Sequence, residues 1–115
     1  MIKLSTYKNR PAVIVETETL KATFLHEDGA KLASLIRLDT FEELLAVKKG
    51  ENYERLTYDG SYVDSECSGF DDMFPTVDPY TPTVGAFKGI TYPDHGETSR
   101  ISYDLKTTGD EIILF

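Results

Sequence analysis

A chain of 115 residues with 20 acidic and 12 basic side chains has the size of one small domain and a formal charge of −8. That balance works against nucleic acid as a partner, because phosphate-backbone binding is driven by Lys and Arg releasing counterions. No apolar run approaches the ~20 residues of a bilayer span, and Met1 to Ser5 lack the apolar core and cleavage site of a secretion signal, so no membrane contact and a cytoplasmic location are expected.

Residues 11–25 open with the apolar run Ala12-Val13-Ile14-Val15 and pass into alternation, with Leu20, Ala22 and Phe24 on one face and Lys21 and Thr23 on the other. Period two with β-branched residues predicts strands. Asp28-Gly29 supplies a pair that tolerates positive φ, and Leu32, Ser34, Ile36 and Leu38 resume the alternation, which predicts a hairpin over 19–38. His26, just before that turn, reads as a partly exposed turn residue rather than a ligand.

Residues 39–50 carry two conflicting signals. Thr40 followed by Glu43 matches a capping box, and Lys48-Lys49-Gly50 suits a helix C-terminus. Against this, the segment is short for a stable helix, and a strand Glu43–Val47 extends the meander already begun.

From Gly50 to Gly96 the composition shifts to Gly, Pro, Asp, Ser and Tyr, with Pro75, Pro79, Pro82 and Pro93 preventing any long helix or central strand. Tyr53, Tyr58, Tyr62, Phe70, Phe74, Tyr80, Phe87 and Tyr92 are concentrated here, whereas disordered segments are poor in aromatics. Ordered loops are therefore expected, and loops of this length in a compact domain are usually functional. Cys67 stands alone, which rules out an internal disulfide or a cysteine-based zinc site; it reads as a half-buried structural thiol. Further on, Ile101, Tyr103 and Leu105 alternate, Thr108-Gly109-Asp110 forms a turn, and Glu111 to Phe115 form an apolar strand.

Two loop clusters carry chemistry. In Asp94-His95-Gly96-Glu97, Pro93 biases Tyr92 to extended geometry and Gly96 permits a tight bend, which projects the imidazole with Asp94 or Glu97 placed to orient it. The alternative is a polar loop whose histidine bonds backbone. In Ser68-Gly69-Phe70-Asp71-Asp72-Met73-Phe74-Pro75, adjacent carboxylates beside aromatics match sugar sites, where carboxylates accept hydroxyl hydrogen bonds and rings cover C–H faces. Asp71, Asp72 and Asp78 are also hard oxygen donors, but their spacing departs from an EF-hand loop and no metal is expected. Phe70, Met73 and Phe74 are expected to pack as core. Gly-x-Ser-x-Gly, phosphate-cradling and His-Glu-x-x-His motifs are missing, which removes the hydrolytic and nucleotide chemistries they support.

Gly29-Ala30-Lys31-Leu32-Ala33-Ser34-Leu35-Ile36, Glu43-Leu44-Leu45, Cys67 to Thr76 and Pro93-Asp94-His95-Gly96-Glu97, in this order, resemble the aldose 1-epimerase (galactose mutarotase-like) family over nearly the whole chain. The resemblance implies an all-β fold, an antiparallel β-sandwich forming the N-terminal part of a galactose mutarotase-like supersandwich, with a short strand at Glu43-Leu44-Leu45. It also implies cofactor-free interconversion of the α and β anomers of an aldose. His95 then matches a substrate-binding histidine and Arg100 a substrate-contacting arginine, with Asp71 and Asp72 as the facing wall. The aromatic that often follows the arginine is replaced by Ile101-Ser102-Tyr103.

Mutarotation needs a base for the anomeric hydroxyl and an acid for the ring oxygen. The family takes these from a later glutamate and a second histidine, which are not matched here. A full supersandwich needs about 250 residues, so the expectation is an incomplete domain that supplies substrate-binding loops and is inactive alone. Its open strand edges would pair with a second copy or a complementary C-terminal chain. The alternatives are a non-enzymatic carbohydrate-binding β-module and a self-associating interaction domain.

Overall fold

Strand-forming residues dominate the first third of the chain and, in the computed structural model, which describes all 115 residues, they build one antiparallel meander. Its strands are β1 (Ile2–Tyr7), β2 (Arg10–Glu16), β3 (Leu20–Leu25), β4 (Lys31–Arg37) and β5 (Glu42–Glu43), hydrogen-bonded in that order. A second sheet consists of β6 (Leu105–Thr108) and β7 (Glu111–Leu114). The protein is all-β with antiparallel sheets. No helix is long and apolar enough to cross a membrane.

The β1–β2 connection is a two-residue turn, since Tyr7 pairs with Arg10 and both Lys8 and Asn9 have positive φ, at 45° and 64°. This is the backbone of a type I′ turn, whose twist matches the flanking strands. Lys8-Asn9 lacks the usual glycine, so neither the turn nor β1 stands out in the sequence. The predicted hairpin over 19–38 is present as β3 and β4. A register shift at Thr23/Phe24 and a loop over residues 26–30 replace a tight Asp28-Gly29 turn. Gly29, at φ 74°, donates its N–H to the Ile101 carbonyl at 2.9 Å, and a Cβ there would lie 2.5 Å from the Ser99 backbone. Only glycine lets the two segments approach so closely.

The doubtful segment 39–49 contains a strand and no helix. Glu42 and Glu43 pair with Arg37 and Ile36, and Leu44 donates to Leu35 O at 2.8 Å. The regular strand is shorter than the predicted Glu43–Val47. Glu43 uses its carboxylate on the Ser34 hydroxyl and the Leu35 N–H instead of capping a helix. Farther along β4, the edge not paired with β3 continues through Leu32, which exchanges both backbone hydrogen bonds with Phe70. The predicted alternation from Ile101 begins only at Leu105, because Ile101 O and Tyr103 N bond the loop at Gly29 and His26.

The apolar core is small. Ala12, Leu25 and Ala33 form its buried cluster, with Tyr7 and Tyr53 packed against it. Fifteen residues are buried; eight are polar or charged against five hydrophobic, so buried polar contacts carry much of the cohesion that a larger domain takes from its core. Phe70, Met73 and Phe74 are 58%, 48% and 66% exposed, which corrects their expected place in the core. Their loop lies at the surface, held by backbone contacts rather than by its rings. Cys67, expected half-buried, is likewise exposed.

Candidate functional site

The long proline- and tyrosine-rich segment is fastened to the sheet by charged side chains, most of which have little access to water. Asp28 accepts from Arg10 Nε and Arg55 Nε, both at 2.7 Å, which joins β2, the 26–30 loop and the distal segment. Glu66, 2% exposed, pairs with Lys8 from the β1–β2 turn and accepts from the Glu54 N–H at 3.2 Å. Lys31, at the start of β4, donates to Ser68 O at 2.7 Å and lies 3.0 Å from Asp71 Oδ2. Apart from the half-exposed Arg55, these charges are largely removed from water and are compensated by being paired and hydrogen-bonded. They fix the loops that carry the candidate site.

The His95 loop has the bend that the sequence implied. His95 and Gly96 have φ of 62° and 68°, and the His95 N–H donates to Val77 O at 2.7 Å. Tyr92 is extended and bridges Tyr80, in line with the restriction imposed by Pro93. A Cβ on Gly96 would meet Phe74 O at 2.4 Å, so the His95 loop sits directly on the backbone of the Asp71–Phe74 segment. Phe74 O also accepts from the Glu97 and Thr98 N–H groups, at 2.8 and 3.3 Å. The two loops singled out by sequence are thus brought together through main chain.

His95 lies flat on Tyr62, with ring centroids 3.8 Å apart and planes inclined by 4°. Its Nδ1 is 2.8 Å from Asp94 Oδ2 but is not aligned with it as a hydrogen bond. The imidazole side chain keeps 29% of its surface. Of the two flanking carboxylates, Asp94 therefore faces the ring, while Glu97 accepts from the Tyr58 hydroxyl at 2.9 Å.

Asp71 and Asp72 part company. The Asp71 side chain is 4% exposed, and its Oδ2 accepts from the Tyr62 hydroxyl at 3.0 Å beside Lys31, while Oδ1 has no partner. Burial, followed by the nearby Asp71 carboxylate, pushes the Tyr62 hydroxyl well above the usual tyrosine value and keeps it protonated as a donor. Asp71 thus lies behind Tyr62, the ring that carries His95. Asp72 is exposed, and its carbonyl accepts from the Thr98 hydroxyl at 2.7 Å. Asp71, Asp72 and Asp78 do not gather into a cluster of three metal-ligating side chains.

Arg100 ends a single 3-10 turn, Thr98–Arg100, and is buried at 8% exposure. Its guanidinium donates to five carbonyls: Gly96 at 3.1 Å, Asp94 at 2.8 Å, Thr57 at 3.2 Å, Tyr58 at 2.8 Å and Gly60 at 2.7 Å. The fork thereby closes the 57–60 loop onto the 94–96 loop. Between these loops lies a cavity of about 430 Å³, lined by Tyr58, Asp59, Ser61, Tyr62, Asp94 and Arg100 among others. Tyrosine faces, an exposed serine and two carboxylates suit a polyhydroxylated ligand: rings cover C–H surfaces while carboxylates accept hydroxyl hydrogen bonds.

Sequence reasoning picked out His95, Asp71, Asp72 and Arg100. Arg100 and the neighbours of His95 bound the cavity, Asp71 supports it from behind, and Asp72 is held at the surface by its backbone. Tyr62, Tyr58 and Asp59 were not singled out as site residues; the signal available was the tyrosine enrichment of the loop. The chain matches no family model and no curated protein.

Proposed function

We propose that this chain binds a small sugar in the cavity between the 58–62 and 91–94 segments. In this reading it is the substrate-binding part of an aldose 1-epimerase-like protein whose strands belong to a galactose mutarotase-like sandwich. The observation that carries the proposal is the convergence of tyrosine rings, Ser61, Asp59 and Asp94 on one cavity beside the stacked His95. His95 does not itself line the cavity and positions the sugar through the Tyr62 ring on which it is stacked, and Arg100 holds the two walls together. His26, the only other histidine, lies at a different cavity with Leu4 and Tyr103 and supplies no acid here. The acid and base of anomer interconversion come from outside this chain, and the chain alone does not catalyse it.

Calorimetric titration with glucose and galactose tests the binding, and polarimetry of the same solutions tests the chemistry. Saturable binding that weakens in His95→Ala, with no acceleration of mutarotation, supports the proposal. Accelerated mutarotation by the chain alone refutes the incomplete site, and absence of saturable binding refutes the sugar site.

A second reading, an interaction domain, is favoured by the amount of open surface. The radius of gyration is 15.7 Å, against about 13 Å for a compact chain of this length. The accessible area is 7383 Å², against about 6,300 Å² for a monomer of this mass. The excess of about 1,100 Å² is of the same order as the ~800 Å² each partner contributes to a standard interface. Leu4, 71% exposed, lies on the edge strand β1, whose outer side is unpaired and can take a second copy or a complementary chain. Sedimentation at increasing concentration checks this: a dimer supports self-association, and a monomer throughout leaves the complementary chain as the partner.

A further inference from the structure

β1 forms the long open edge of the five-stranded sheet. Its register with β2 runs from Ile2 to Tyr7 without a shift, it contains no proline, and its only charged side chain is Lys3. Shortness, charge and bulges are what keep sheet edges from pairing, and the opposite edge has two of them: β5 is two residues long and both are glutamates. The hydrogen bonds at the start of β1 fix which groups its open side presents. Met1 and Glu16 exchange both backbone bonds, at 2.7 and 2.8 Å. By alternation, Lys3, Ser5 and Tyr7 point their N–H and C=O groups at β2, and Ile2, Leu4 and Thr6 point theirs outward. No other segment of the chain meets these outward groups.

From this edge we propose that two copies of the chain pair β1 with β1, antiparallel, about a two-fold axis through Leu4. This gives the self-associating reading above a defined interface and rests on it. A two-fold axis perpendicular to the sheet keeps each residue on its own face, so the register must be centred on a single residue. Centred on Lys3, it sets two ammonium groups opposite each other and leaves Thr6 unpaired. Centred on Ser5, it sets Ile2 against Lys8, whose carbonyl already accepts from the Tyr53 N–H at 3.3 Å. Centred on Leu4, it sets Ile2 against Thr6 and Lys3 against Ser5, and every outward backbone group of Ile2, Leu4 and Thr6 is bonded. Leu4, 71% exposed in the single chain, then meets its own copy and carries the cross-strand row of Phe24 and Val13 over the junction. Charge favours the same surface. The chain carries −8 overall, but residues 1–9 hold Lys3 and Lys8 and no carboxylate, so two copies approach here without acidic repulsion.

Sedimentation and oxidative cross-linking test the interface. The mass of the unmodified chain is expected to rise from one chain to two with concentration. Leu4→Pro removes only an outward N–H, which an edge strand tolerates, and is expected to stay monomeric at every concentration with the circular dichroism of the parent. In a Cys67→Ser background, Leu4→Cys sets two thiols across a hydrogen-bonded pair with Cα atoms about 5.5 Å apart, within disulfide reach. It is expected to cross-link on mild oxidation, whereas Ser5→Cys, which faces Lys3 of the other copy, is not. A parent that is monomeric throughout overturns self-association itself. A dimer that persists in Leu4→Pro, or that cross-links as readily through Ser5→Cys as through Leu4→Cys, overturns this interface and leaves self-association standing.

Discussion

Arg100→Lys separates two roles for one side chain, a clasp between loops and a direct contact to ligand. The guanidinium reaches five carbonyls on two loops, with three of those contacts at 2.7–2.8 Å. An ammonium group has three donors and no planar fork, so it can serve at most three of those oxygens and cannot span both loops in the same way. Two or more charge-assisted bonds are lost. At about 1–1.5 kcal/mol each, after partial rehydration of the freed carbonyls, the expected cost is roughly 2–3 kcal/mol. Urea denaturation followed by tyrosine fluorescence measures it as a lower midpoint with unchanged slope. Sugar affinity falls in parallel, because the 57–60 wall is no longer held against the 94–96 wall. A variant with stability within about 0.5 kcal/mol of the parent that has nonetheless lost sugar binding would refute the clasp and make Arg100 a ligand contact.

Three further outcomes follow from the same geometry. Asp71→Ala strands the buried Lys31 charge and the Tyr62 donor and is expected to cost about 3 kcal/mol, whereas exposed Asp72→Ala stays within about 0.5 kcal/mol; paired urea curves check the contrast. Gly96→Ala and Gly85→Ala both place a side chain at positive φ, but only the first meets backbone, with Phe74 O at 2.4 Å against open space at Gly85. Gly96→Ala is therefore the more destabilising, by about 2 kcal/mol or more in thermal unfolding. Tyr53 and Tyr62 have hydroxyls raised above the usual value near 10, chiefly by burial and then by neighbouring carboxylates. The unfolded chain releases those protons first, so their contribution is intact below pH about 10 and is lost as pH rises above it. Urea midpoints at pH 9, 10 and 11 are expected to fall in that order, and a rise across this range would contradict the sign.

The parts of the fold legible in sequence were those where local pattern and tertiary structure agree. The alternation from Leu20 to Leu38 became a hairpin, and Thr108-Gly109-Asp110 turned where expected. At Glu43 the local helix chemistry was present but was overridden, because its carboxylate is better used on Ser34 and Leu35 of the adjoining strand. β1 went unread because Lys8-Asn9 adopts a type I′ backbone without glycine. The site was legible as loops but not as geometry. Adjacent Asp71 and Asp72 look equivalent in sequence, yet one is sealed behind Tyr62 and the other faces water. Tyr62 finds His95 only through the long irregular segment, which has no periodicity from which to predict the contact. Phe70, Met73 and Phe74 look like core by composition, but the small apolar cluster of Ala12, Leu25 and Ala33 does not reach them.

Titrating the ¹⁵N-labelled chain with glucose while following its amide resonances tests most directly the sugar site between the Tyr58–Tyr62 wall and the wall of Thr91, Pro93 and Asp94. Saturable shifts concentrated at Gly60, Ser61, Tyr62, Asp94 and His95, with the β6–β7 hairpin unmoved, are the predicted result. Shifts that never saturate, or that saturate elsewhere and leave those residues unchanged, would contradict it.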